Sequence, residues 1–259
     1  MDISWFGKSS VLLRVRTDGT TLLVDPHKNI KNADAKAILI SAETIDERQI
    51  PTLKEETHLI NGPGEFELGS AYITGMGISH NRSKPTVVPI SSEVETSNED
   101  DTESEIIEES DSFEDATSDS NTEDIAEVES EDSNASKQGG FSTIYLIRAE
   151  NLSVCLVGSV KRAPSARQLA ELRQAEIIIA PIAEEDEGMP TNRLAELIRS
   201  IDPRVFIPLN LTKNQTSINT LIEELGISEE NIVRDQARLS VTDRSLPLDM
   251  RINILSESK

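Results

Sequence analysis

One cysteine in 259 residues, Cys155, leaves the chain without any internal disulfide, as suits a reducing compartment. Aromatic residues make up only 3%, and there are three histidines, His27, His58 and His80, so imidazoles for a metal site are scarce. No apolar run approaches the roughly 20 residues of a membrane-spanning helix. The opening MDISWFGKSS lacks the basic start and apolar core of a secretory signal. These absences predict a soluble, cytoplasmic protein. Positive charge is short as well: 25 Lys and Arg face 47 Asp and Glu, a net charge of -22. That balance argues against nucleic acid or an anionic membrane as partner.

The charge deficit is local. Between Pro85 and Ser136 lie 19 Asp and Glu and no Lys or Arg, whereas 28 acids and 25 bases make up the rest. Ser, Thr, Asn, Asp and Glu dominate there, with too little apolar surface to offset the entropy of ordering. Residues 85–138 therefore read as a disordered acidic insertion. Strands resume straight after it, so 1–84 and 139–259 read as one discontinuous domain. Ile106, Ile107, Phe113, Ile125 and Val128, spread among the carboxylates, suit docking onto a basic or amphipathic protein partner. A purely solubilising insertion is the plainer alternative, and rooted just after His80 the segment could also cover a nearby pocket.

What the rest contains is a succession of short elements. Strands are expected at Ile3 to Phe6, Val11 to Arg16, Thr21 to Val24, Ala37 to Ile40, His58 to Ile60, Glu65 to Leu68 and Ala71 to Gly75, with Asp18-Gly19 and Gly62-Pro63-Gly64 as turns. The hairpin signals predict a largely antiparallel first half. Beyond the insertion, strands at Phe141 to Ala149, Asn151 to Val157, Glu176 to Ala180 and Val205 to Leu209 alternate with three helices. The first helix runs from Ser165 to Ala175. The second is capped by Thr191, with Leu194, Leu197, Ile198 and Ile201 at helical spacing. The third is capped by Ser217 and stopped by Gly226. Arg238 to Leu255 reads as one or two closing strands.

Three stretches carry a resemblance. The opening Ile3-x-Trp5-Phe6-Gly7-x-Ser9-Ser10, the strand end Val24-Asp25-Pro26, and Gly62-Pro63-Gly64-Glu65-Phe66-Glu67 occur in an order and spacing similar to the metallo-β-lactamase fold, in its lactonase-like and uncharacterised zinc-dependent hydrolase branch. The resemblance implies an α/β, four-layer αββα sandwich and a loop after the fourth strand carrying Ser-His-x-His-x-Asp-His. Here that loop reads Ser41-Ala42-Glu43-Thr44-Ile45-Asp46-Glu47. His80 matches a later family ligand. Ser159 stands where a bridging Asp is implied, Asn210 where the last His is implied, and Lys8 where a His is usual. Of the implied ligand positions Ala42, Thr44, Asp46, Glu47, His80, Ser159 and Asn210, only Asp46 and His80 keep the family residue.

A catalytic zinc needs about three N, S or O protein ligands plus an open position. Ala42 has no donor, Thr44 and Ser159 are neutral hydroxyls, and Asn210 offers an amide oxygen. The expectation is a metal-free pseudo-hydrolase that acts by binding, with no catalytic residue and no cofactor. The alternative is a hydrolase in which Asp46, Glu47, His80 and Asn210 hold a hard cation such as Mn or Mg, or residual Zn. A plainer role for Glu43, Asp46 and Glu47 is capping the following turn. Lys8, Lys161 and Arg162 could give the pocket mouth a site for a small anionic ligand, or be solvated surface charge. His27 is expected to be a solvated turn residue, His58 a strand residue, and Cys155 inert core.

Overall fold

Short strands with alternating burial build the first half, as in Asp2–Trp5, where Ile3 and Trp5 point inward. The computed structural model describes residues 1–27, 30, 34–43, 56–80, 140–182, 188–211 and 215–258. The first sheet contains β1 (Asp2–Trp5), β2 (Val11–Arg14), β3 (Thr21–Val24), β4 (Ala37–Ile40) and β5 (His58–Asn61), and a late two-residue strand, Leu239–Ser240, pairs with β1. The pairs β1–β2 and β2–β3 are antiparallel, as the hairpin signals predict, and so is the later pair Gly64–Leu68 with Ala71–Ser79, whereas β3–β4 and β4–β5 are parallel. The tight Asp18-Gly19 turn forces an antiparallel return. The long joins 25–36 and 41–57 give the chain room to cross over and re-enter in parallel.

The second sheet opens with an antiparallel meander of β6 (Gly64–Leu68), β7 (Ala71–Ser79), β8 (Phe141–Ala149) and β9 (Leu152–Leu156). It continues in parallel through β10 (Ile177–Pro181) and β11 (Val205–Leu209). Nearly every residue of β10 and β11 is buried, as strands covered on both faces require. Beyond β11 lies a strand at Arg251–Leu255, and beyond that the edge strand β12 (Ile232–Gln236), which the sequence reading missed. Numbered in chain order, Leu239–Ser240 is β13 and Arg251–Leu255 is β14.

Among the described residues, three helices cover this sheet. α1 (Ala166–Leu172) starts at a capping box in which Ser165 Oγ accepts from the Gln168 backbone and the Gln168 side chain accepts from Ser165 N–H. α2 (Thr191–Ile201) buries Leu194, Leu197, Ile198 and Ile201 as expected. Its cap is Pro190, however, and Thr191 is already helical. α3 (Gln215–Leu225) begins two residues before Ser217, which therefore sits in its first turn and not at its cap. The apolar spacing set the buried faces of these helices but not their first residue.

Between the sheets, Ile3, Leu13 and Leu22 meet Tyr145, Val154, Ile179 and Ile207; between the second sheet and the helices, Leu146, Ile178 and Phe206 meet Leu172, Leu194 and Leu221. Cys155 is in this second layer, and burial pushes its thiol up to about 12. On the outer face of the first sheet the described residues supply a smaller cluster around Leu23, Ile38 and Ile40, and no helix. All the described residues belong to one compact unit that the chain enters twice, before and after 83–138. The expected acidic insertion lies outside the described residues. Among them, no helix is long and apolar enough to cross a membrane.

Candidate functional site

Asp25 and Ser41 follow the adjacent parallel strands β3 and β4, at the carboxyl ends where α/β sheets gather their sites. Ser41 donates its N–H to Asp25 Oδ1 at 2.7 Å and its hydroxyl to Oδ2 at 2.5 Å. Asp25 sits at φ 42°, its carbonyl accepting from Ser10 Oγ at 2.5 Å. Burial raises the Asp25 carboxyl to about 6 despite the opposing pull of the two Ser41 hydrogen bonds.

Ser41 then crosses to the other sheet. Its carbonyl accepts from Thr143 N–H at 2.8 Å, and its Oγ accepts from Ser159 N–H at 3.0 Å. Gly158, at φ +59°, makes that approach possible, because a Cβ there would overlap the Ser41 side chain. The buried Tyr145 ties the sheets again, its hydroxyl donating to Ile40 O at 2.8 Å and accepting from Gly62 N–H at 3.2 Å.

A second network reaches Ser159 through its carbonyl. Glu43 Oε2 lies 3.1 Å from His80 Nδ1, His80 Nε2 lies 2.9 Å from Ser142 Oγ, and Ser142 Oγ lies 3.3 Å from Ser159 O. Strand register creates this contact. Ser142 faces Ile78 across β7–β8, and the ladder extends one step further as His80 N–H donates to Gly140 O, so His80 and Ser142 are diagonal neighbours on one face. Glu43 occupies the space that a Cβ on Gly140 would need. Arg162 Nη1 donates to His80 O at 3.5 Å. The Glu43 side chain is 44% exposed and that of His80 25%, whereas Ser142 is 2% exposed.

Of the residues anticipated from sequence, His80, Ser159 and Arg162 thus come together. Lys8 and Asn210 form a second cluster: Lys8 O accepts from Asn210 N–H at 3.1 Å and from Trp5 Nε1 at 2.8 Å, while Asn210 Nδ2 donates to Ile182 O at 3.4 Å. Lys161 is exposed, and Ala42 packs against the outer apolar cluster. Thr44, Asp46 and Glu47 lie outside the described residues. His27 is not a solvated turn residue: only 8% exposed, it is held by Phe6 O 2.7 Å from its Nε2. Glu43 was anticipated only as a cap, and Ser142 not at all.

A separate open groove of about 470 Å³ is lined by Arg16, Thr17, Glu150, Asn151 and Thr242. Its carboxylate is already engaged. Burial pushes Glu150 up, but an ion pair with the Met1 amine and hydrogen bonds from Thr17 outweigh it and bring the group down to about 2.

The profile of the β-lactamase superfamily domain matches residues 2–89 and 81–210. The chain belongs to the β-lactamase superfamily. No curated protein matches it by sequence. Among solved structures it is similar to a protein from Thermotoga maritima assigned as a zinc-dependent hydrolase of the metallo-β-lactamase superfamily, at 14% identity and a TM-score of 0.60, over 98% of this chain and 97% of that one. The metallo-β-lactamase fold protein YhfI from Bacillus subtilis follows at 9% identity and 0.53, over 100% and 97%. A protein from Parabacteroides distasonis assigned as a metal-dependent hydrolase gives 12% and 0.51, over 99% and 93%. These likenesses establish the two-sheet sandwich.

The superfamily implies a metal, and the described donors do not fit one. No three His, Cys, Asp or Glu side chains come close enough among the described residues. Both ring nitrogens of His80 face partners of this chain, Ser159 is engaged through its backbone, and Ala42 has nothing to offer. Among the described residues, one imidazole with its two nitrogens taken falls short of the three ligands a catalytic zinc requires.

Proposed function

We propose that this chain is a superfamily member that has lost metal-dependent hydrolysis and receives a small anionic ligand at the loop end of its sandwich without an ion. The observation that carries this reading is the double engagement of His80 by Glu43 and Ser142, which directs the family's remaining imidazole into the protein's own hydrogen bonds. Arg162 beside His80 and the exposed Lys161 support the anionic class of ligand.

Thermal unfolding with and without metal tests it. An ion held at 100 times its Kd would stabilise the fold by about 2.7 kcal/mol, or roughly 5–10 °C in a domain of this size. The expected result is a midpoint unchanged by chelator, zinc or manganese. A rise of that order with zinc, lost in His80→Ala, would refute the reading.

A further inference from the structure

Three side chains from separate segments, which the metal-free reading uses only to occupy the His80 ring, form a sequence with chemistry of its own. Ser142 is on β8, His80 directly follows β7, and Glu43 lies in the loop after β4. The 2.9 Å from Ser142 Oγ to His80 Nε2 is within reach for proton abstraction once the hydroxyl turns from the Ser159 carbonyl, to which it donates at 3.3 Å, and the 3.1 Å from His80 Nδ1 to Glu43 fixes the ring's other edge. Nucleophile, base and orienting carboxylate thus appear in their working order, and such a set is recognised by geometry and not by fold. Gly140 makes room for the Glu43 carboxylate, so the orienting group is seated by the backbone and not merely nearby. The serine itself is 2% exposed, in surroundings where hydrogen bonds are stronger than in water. His80 and Glu43 are the members that meet solvent.

We infer that Glu43, His80 and Ser142 form a metal-independent acyl-transfer site in which Ser142 is the nucleophile and the substrate is a carboxylic ester. The inference rests on the metal-free reading and deepens it, because it requires His80 Nε2 to be available to Ser142. Ser142 Oγ forms a bond to the ester carbonyl carbon while its proton passes to His80 Nε2. The carbon–oxygen bond to the alcohol then breaks, and the departing alkoxide takes that proton, leaving acyl-Ser142 and a free alcohol. Water, deprotonated by His80, attacks the acyl carbon, releases the carboxylic acid and returns the proton to Ser142. Glu43 is a positioning residue that keeps the Nδ1–H edge of the ring turned towards it.

The experiment treats the full-length protein with a fluorophosphonate probe and maps the adduct by peptide mass spectrometry. Parallel rates of p-nitrophenyl acetate turnover are measured for the wild type, Ser142→Ala, His80→Ala and Glu43→Gln. The expected result is one adduct, on Ser142. Turnover is abolished in Ser142→Ala and slowed by roughly 100-fold or more in His80→Ala. Glu43→Gln slows it without lowering the thermal midpoint, and Glu43→Asp restores part of the rate. No adduct, or an adduct elsewhere, in protein whose midpoint ignores zinc would overturn this inference and leave the metal-free reading standing. Tight zinc binding that depends on His80 would overturn both.

Discussion

Gly158→Ala is expected to destabilise the protein by about 2–5 kcal/mol. Two effects add at this position. The φ of +59° is left-handed, which costs a residue with a Cβ roughly 1–2 kcal/mol. The new methyl would also enter the space of Ser41 Cβ and Oγ, and overpacking of this kind costs typically 1–3 kcal/mol. Ser41 cannot simply withdraw, since it is fully buried and bonded at once to Asp25, Thr143 and Ser159. Gly226→Ala separates the two effects. Its φ is +67°, but nothing lies within 4 Å of the added Cβ, so only the conformational part should appear there. Denaturant unfolding of both variants checks this. Equal losses at the two sites would mean that the Ser41–Gly158 approach is not tight.

Asp25→Asn should remove a stability change of about 3 kcal/mol between pH 4 and pH 6. The Asp25 carboxyl is raised from 3.8 to about 6 by burial, so the folded state binds its proton more tightly than the unfolded chain does. The stabilisation is therefore complete below about pH 4, falls as the pH rises through 6, and is constant above. Asn cannot ionise, so the variant lacks that slope. Other carboxylates titrate alike in both proteins, and the difference between them isolates Asp25. Unfolding free energies at pH 4 and pH 7 for the two proteins give the answer. Parallel slopes would mean that Asp25 is not held in a raised state.

The superfamily was legible through a resemblance carried by local motifs, the Val24-Asp25-Pro26 strand end and the Gly62-Pro63-Gly64 turn, whereas composition and spacing alone yielded only the individual strands and helices. His80 and Ser159 were picked out by the order of the family's motifs, and Cys155 by its apolar neighbours. Ser142 was not, because a serine inside an apolar strand carries no signal of its own. Its importance comes from pairing with Ile78 across 63 intervening positions that include the whole acidic segment. The same reason hid Gly140, which matters only through Glu43. The reading of His27 failed because a turn sequence does not reveal that Phe6 O will cover it. The strand β12 was missed because Arg234 and Asp235 give it the charge of an exposed edge and no alternating apolar face.

On the metal-free reading, Glu43 and Ser142 take the two His80 nitrogens that a metal ion would need. Metal analysis of protein purified from culture supplemented with zinc and manganese tests it most directly. Far less than one ion per chain is expected, the same in wild type and in His80→Ala. One firmly held ion per chain, lost when His80 is replaced, would contradict it.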